Sequence, residues 1–83
     1  MVVVDYDRHF VKLVQKIKDV SLKEKIKKQI TKIINNPEIG KPMRYTRQGT
    51  REVYVSPFRL SYIYFKEGNK VVFLDLHHKD EQY

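Results

Sequence analysis

The chain has 83 residues, 41% hydrophobic and 33% charged, with no cysteine and a formal net charge of +7. That length suits one domain spanning 1–83, and the composition fits a globular chain with a modest core, not a disordered or membrane-spanning one. Lacking cysteine, it has no disulfides or thiolate zinc sites, and the excess of 17 Lys plus Arg over 10 Asp plus Glu favours an anionic partner, either nucleic acid or an acidic protein.

The start, MVVVDYDR, lacks the basic head, long apolar run and small-residue cleavage site of a secretion signal, so a cytoplasmic location is expected. Residues 2–4 are all valine and predict a short strand. Phe10, Leu13, Val14 and Ile17 then recur at helical spacing, which predicts a first helix over 8–18. Ser21 and Glu24 have the S-x-x-E spacing of a capping box. Behind them Leu22, Ile26, Ile30, Ile33 and Ile34 form the stripe of a second helix, stopped by Asn35, Asn36 and Pro37. The short link between the helices predicts an antiparallel hairpin. After Gly40 the period drops to two, and strands are predicted over 51–55, 58–65 and 70–77. Ser56-Pro57 and Glu67-Gly68-Asn69-Lys70 supply the turns of an antiparallel meander. The expected fold is α+β, an N-terminal helical hairpin packed on one face of a small twisted antiparallel sheet.

Alternation along the strands divides the side chains between two faces. Val53, Val55, Phe58, Leu60, Tyr62, Val72, Leu74 and Leu76 form the helix-facing set. Glu52, Tyr54, Arg59, Ser61, Asp75 and His77 then point to the open face, which in half-exposed sheets is polar by default. Charge is also unevenly spread. Eight of the twelve lysines lie between Lys12 and Lys32, on helix faces, whereas four of the five arginines lie between Arg44 and Arg59. Arginine forks suit phosphates, so the second half of the chain is the expected polyanion site.

Arg59, Arg51, Lys41, Lys79, His77 and His78 supply cations for a phosphate backbone, and Tyr54 and Tyr83 supply rings for unpaired bases. The same set has the parts for metal-free RNA cleavage, which needs a base for the 2′-hydroxyl proton, a cation at the phosphate and an acid for the leaving oxygen. His77, His78 or Glu52 is the base, Arg59 the stabiliser, and a second histidine or Lys79 the acid. In the plainer reading, Arg59 and Glu52 form an exposed ion pair. His77 and His78 alternate faces, so one alone joins the site if the strand continues through both. His9 reads as a surface residue. Adjacent histidines on a strand diverge, so no metal or other cofactor is expected.

Three stretches, NNPEIGKPM closing the hairpin, TREVYVSPFRLSYIYF and the terminal HHKDEQY, resemble the RelE/ParE toxin superfamily of toxin–antitoxin modules. The similarity covers nearly the whole chain, and the family's two helices against a twisted sheet agree with the periodicity. For RelE-like members it implies metal-independent, ribosome-dependent endoribonuclease cleavage of mRNA that inhibits translation. It also implies a cognate antitoxin that wraps the toxin, with operator DNA reached through the antitoxin. Arg59 in FRLSY matches the family's catalytic arginine, Tyr83 its terminal stacking tyrosine, and His77 or His78 falls where members carry a functional arginine or histidine. Where the RelE pattern has two lysines this chain has Glu52 and Tyr54, and the glutamate of YoeB-type relatives would fall near Met43. The ParE-like branch, which binds DNA gyrase, is the alternative, as is a catalytically inactive relative acting by protein binding.

Overall fold

The computed structural model describes residues 2–43 and 49–79. Strand β1 (Val3–Tyr6) leads into α1 (Arg8–Lys16), and after a short link α2 (Val20–Asn35) follows. Asp7 caps α1, its carboxylate accepting from the His9 N–H at 2.8 Å. α2 is capped by Asp19, which accepts from the Leu22 N–H at 3.2 Å, so the expected Ser21–Glu24 capping box does not form and Ser21 already lies inside the helix. Aspartate caps as well as serine does, and its charge also favours the positive end of the helix dipole. Among the described residues no helix is long and apolar enough to cross a membrane.

The rest of the chain forms β2 (Lys41–Pro42), β3 (Thr50–Val55), β4 (Phe58–Phe65) and β5 (Lys70–His78), in a five-stranded sheet of order β1-β5-β4-β3-β2. β3, β4 and β5 are the expected antiparallel meander, with the two-residue β2 added to β3. β1, however, pairs with β5 in parallel, so the sheet is mixed and not wholly antiparallel. A parallel pair needs a long crossover, which everything between β1 and β5 provides, and no local sequence pattern reports such a pairing. The β4–β5 turn is closed by Asn69, whose positive φ of 47° suits asparagine and whose N–H donates to the Lys66 carbonyl at 3.2 Å.

Both helices pack on one face, α1 over β5 and α2 over β3. Phe10, Ile26 and Ile33 from the helices meet Val55, Leu60, Tyr62, Val71, Phe73 and Leu76 from the sheet in one buried cluster. The expected inward set on β5, Val72, Leu74 and Leu76, is therefore corrected to Val71, Phe73 and Leu76. The cause is a β-bulge. Tyr62 pairs with Phe73 and Ser61 with Asp75, leaving Leu74 as an extra residue between them. Turning Phe73 outward would forfeit roughly 1.5–3 kcal/mol of burial, enough to justify the irregularity.

Tyr62 ties the sheet to the loop after α2. Its hydroxyl donates to the Pro37 carbonyl at 2.7 Å and accepts from the Gly40 N–H at 2.9 Å. Gly40 has to be glycine, because a Cβ there would sit 2.6 Å from the Tyr62 hydroxyl oxygen. Burial pushes the Tyr62 phenol above its ordinary value of 10.0, against the smaller opposing effects of the Gly40 hydrogen bond and the Arg51 charge.

Candidate functional site

Strand register assembles the polar residues of the open face into two adjacent rows. Lys41 on β2 pairs with Glu52 on β3, Glu52 with Ser61 on β4, and Ser61 with Asp75 on β5. One step along, Tyr54 pairs with Arg59, and Arg59 with His77. Direct partners in an antiparallel sheet share a face and lie about 4.5–5.5 Å apart, so these side chains line one patch opposite the helices.

Within the patch, Arg59 Nη1 lies 3.4 Å from Glu52 Oε1, an interaction between neighbouring rows. The glutamate side chain is 21% exposed and the arginine 47%, so the guanidinium keeps donors free for a ligand while the carboxylate holds its direction. An ion pair this open contributes at most about 1 kcal/mol to stability. Tyr54 presents its ring to solvent at 52% exposure beside Arg59, a geometry suited to stacking on an unpaired base. His77 is more enclosed, its Nδ1 being 3.5 Å from Asp75 Oδ2. The Asp75 Oδ1 also lies 3.1 Å from His9 Nε2, brought in by the start of α1.

The expected site residues divide accordingly. Glu52, Tyr54, Arg59, His77 and Lys41 come together. His78 does not, because β5 continues through it and turns it to the helix side, where its ring meets Phe58 edge-on at a centroid distance of 5.6 Å. Arg51 also lies on the helix side, paired with Tyr62. It donates to the carbonyls of Glu38 at 3.0 Å and Gly40 at 2.8 Å, so its charge secures the loop before β2 instead of the open face. Lys79 follows the end of β5, exposed, with its N–H donating to the Pro57 carbonyl at 2.9 Å. Tyr83 lies outside the described residues. His9, taken from the sequence for a bystander, reaches the patch through Asp75. A histidine two residues after a helix cap carries no signal of that contact, because the contact depends on β1 pairing with β5. Among the described residues no group of three or more His, Asp or Glu side chains is arranged to hold a metal ion.

Solved structures share this architecture. The isolated Escherichia coli RelE toxin superposes with a TM-score of 0.81 at 18% identity, covering 99% of this chain and 88% of that one. The toxin–antitoxin complex RelBE2 of Mycobacterium tuberculosis gives 0.77 at 23% identity over 94% of this chain and 98% of that one. A YoeB/ParE toxin from Agrobacterium tumefaciens gives 0.80 at 15% identity over 99% of this chain and 100% of that one. No curated protein matches the sequence significantly. The family model for the ParE toxin of the type II toxin–antitoxin system, parDE, matches residues 4–83. With a fold shared by RelE and YoeB/ParE toxins and a family match along almost its entire length, the chain belongs to the ParE toxin family, within the RelE/ParE superfamily of type II toxin–antitoxin toxins.

Proposed function

We propose that the protein is a metal-independent endoribonuclease that cleaves mRNA on the ribosome and so stops translation. The observation that carries this reading is the register placing Arg59 directly opposite His77, with Glu52 and Asp75 flanking them. In the proposed reaction the 2′-oxygen bonds to phosphorus and its proton passes to His77. The P–O5′ bond breaks, and the leaving 5′-oxygen takes a proton from Lys79. Arg59 stabilises charge on the phosphoryl oxygens, with Glu52 aiming it. Tyr54 stacks on a base, Lys41 neutralises a backbone phosphate, and Tyr83 adds a second stacking ring. The partner that restrains it is a cognate antitoxin, as in the mycobacterial complex, and the site of action is the cytoplasm.

A second reading takes its support from the description of the matching family, the ParE toxin of the type II toxin–antitoxin system. In it the protein acts by binding another protein, DNA gyrase, and the open face need not be catalytic. Mapping RNA 5′-hydroxyl ends on purified translating ribosomes, with and without added protein, separates the two. Cuts confined to the decoding site support the nuclease. Intact RNA together with arrested replication in cells supports the gyrase-directed toxin.

A further inference from the structure

Asp75 stands between two imidazoles. Its Oδ1 accepts from the Leu76 N–H at 2.8 Å and lies 3.1 Å from His9 Nε2, while Oδ2 lies 3.5 Å from His77 Nδ1. The His77 side chain is 12% exposed, against 28% for Asp75 and 63% for His9. The carboxylate is thus held from one side by a backbone N–H and a helix residue, and it presents its other oxygen to the imidazole facing Arg59.

We infer that Asp75 is a positioning residue for His77, fixing the neutral ring as its Nδ1–H tautomer so that Nε2 carries the lone pair that takes the 2′-hydroxyl proton. This rests on the nuclease reading above, and it assigns a role to a carboxylate that otherwise looks like ordinary sheet surface. An ionised carboxylate only accepts, so the nitrogen facing it is the one that carries hydrogen, and a neutral imidazole has a single N–H. The 3.5 Å separation is longer than a formed hydrogen bond. Catalytic hydrogen bonds are commonly long without substrate and tighten in the complex. Once His77 has taken the proton it is a cation, and Asp75 then faces it with opposite charge while Arg59, its partner on β4, is engaged by the phosphate. His9 from α1 holds Oδ1, and Lys79 follows immediately after the strand.

The Leu76 N–H supplies a specific test. In Asp75→Asn the amide oxygen stays on that N–H, because an amide NH2 there would oppose a donor. The NH2 is therefore turned to His77 Nδ1, which then has to accept, and the ring proton moves to Nε2. Ring 15N chemical shifts of His77 read the tautomer, and single-turnover cleavage on translating ribosomes reads the consequence. The expected result is Nδ1–H in the parent, Nε2–H in Asp75→Asn, and cleavage slower by roughly 10²-fold or more, the scale of a lost general base. An Nε2–H ring in the parent overturns the inference without recourse to any variant, so it remains falsifiable even if Asp75→Asn does not fold. A tautomer that changes while cleavage does not overturns the positioning role. A parent with the Nδ1–H ring that leaves RNA intact overturns the nuclease reading instead, and the two failures are thereby distinguished.

Discussion

Arg59 and His77 are direct cross-strand partners, so a permanent cation and a titratable imidazole project from neighbouring strands onto one open face. Removing the cation should cost chemistry and little else. Arg59→Ala is expected to slow RNA cleavage by about 10²–10³-fold, the usual loss when one charge-stabilising donor is deleted. Its melting temperature should stay close to the parent's, since the exposed pair with Glu52 contributes at most about 1 kcal/mol. Parallel end-mapping and thermal melts check both halves, and a variant that loses stability and activity together would recast Arg59 as structural.

Glu52 has the opposite expectation. If it aims Arg59 and transfers no proton, Glu52→Gln retains a hydrogen-bonding oxygen and should lose less than about ten-fold in cleavage rate, in line with a weak exposed pair. A loss as deep as that of Arg59→Ala would move the proton-transfer role from His77 to Glu52.

Tyr54 and Lys41 contribute to RNA binding in separable ways. Tyr54→Ala should weaken binding of single-stranded RNA by about 1–3 kcal/mol without changing how log affinity varies with log salt, because a ring releases no counterions. Lys41→Ala should instead flatten that slope by about one unit. Fluorescence titrations across a salt series measure both quantities. Equal slopes for parent and Lys41→Ala would remove Lys41 from the phosphate path.

Arg51 should behave as a scaffold residue. With its side chain 19% exposed and two carbonyls of the loop before β2 as acceptors, Arg51→Ala leaves those groups unsatisfied and should lower stability by about 1–3 kcal/mol in a denaturant titration. Its RNA salt slope should match the parent's. A reduced slope with unchanged stability would return Arg51 to the binding surface.

Tyr62 predicts an alkaline limit. Burial raises its phenol above 10.0, so the folded state prefers the neutral form. That contribution is complete below the unfolded value near 10 and is lost as pH rises through the higher folded value. Stability should thus fall more steeply above about pH 10 in the parent than in Tyr62→Phe. At neutral pH the order reverses, because the phenylalanine leaves the Pro37 carbonyl and the Gly40 N–H without Tyr62, at about 1–3 kcal/mol. Denaturation midpoints of both proteins across the alkaline range test the crossing, and parallel curves would show that the phenol does not titrate with folding.

The helices were legible because their apolar residues repeat at the helical period, and the open face was legible because Glu52, Tyr54, Arg59 and His77 alternate with residues that belong in a core. Less accessible was anything set by distant pairing. Val71, Val72, Phe73 and Leu74 are apolar without a break, so counting by twos put Val72 and Leu74 inward with Leu76, where the bulge instead turns in Val71 and Phe73. The contact between His9 and Asp75 spans 66 positions and follows from the parallel docking of β1, which no local pattern encodes. Arg51 was misplaced for another reason. Residue type signalled a phosphate ligand, while its parity, shared with Val53 and Val55, already assigned it to the helix side. Its acceptors there are backbone carbonyls, which residue type cannot reveal.

The extra residue in β5 also bears on how roles are transferred between relatives. Up to Phe73 the odd-numbered positions look toward the helices, and from Leu76 onward the even-numbered ones do. An ungapped alignment drawn through this strand from a relative without the insertion is correct on one side of Leu74 and out of phase on the other. Anchored on the apolar half, it would assign the imidazole's role to Leu76, which is buried in the core under the helices. Counting outward from the Ser61–Asp75 pair avoids the slip.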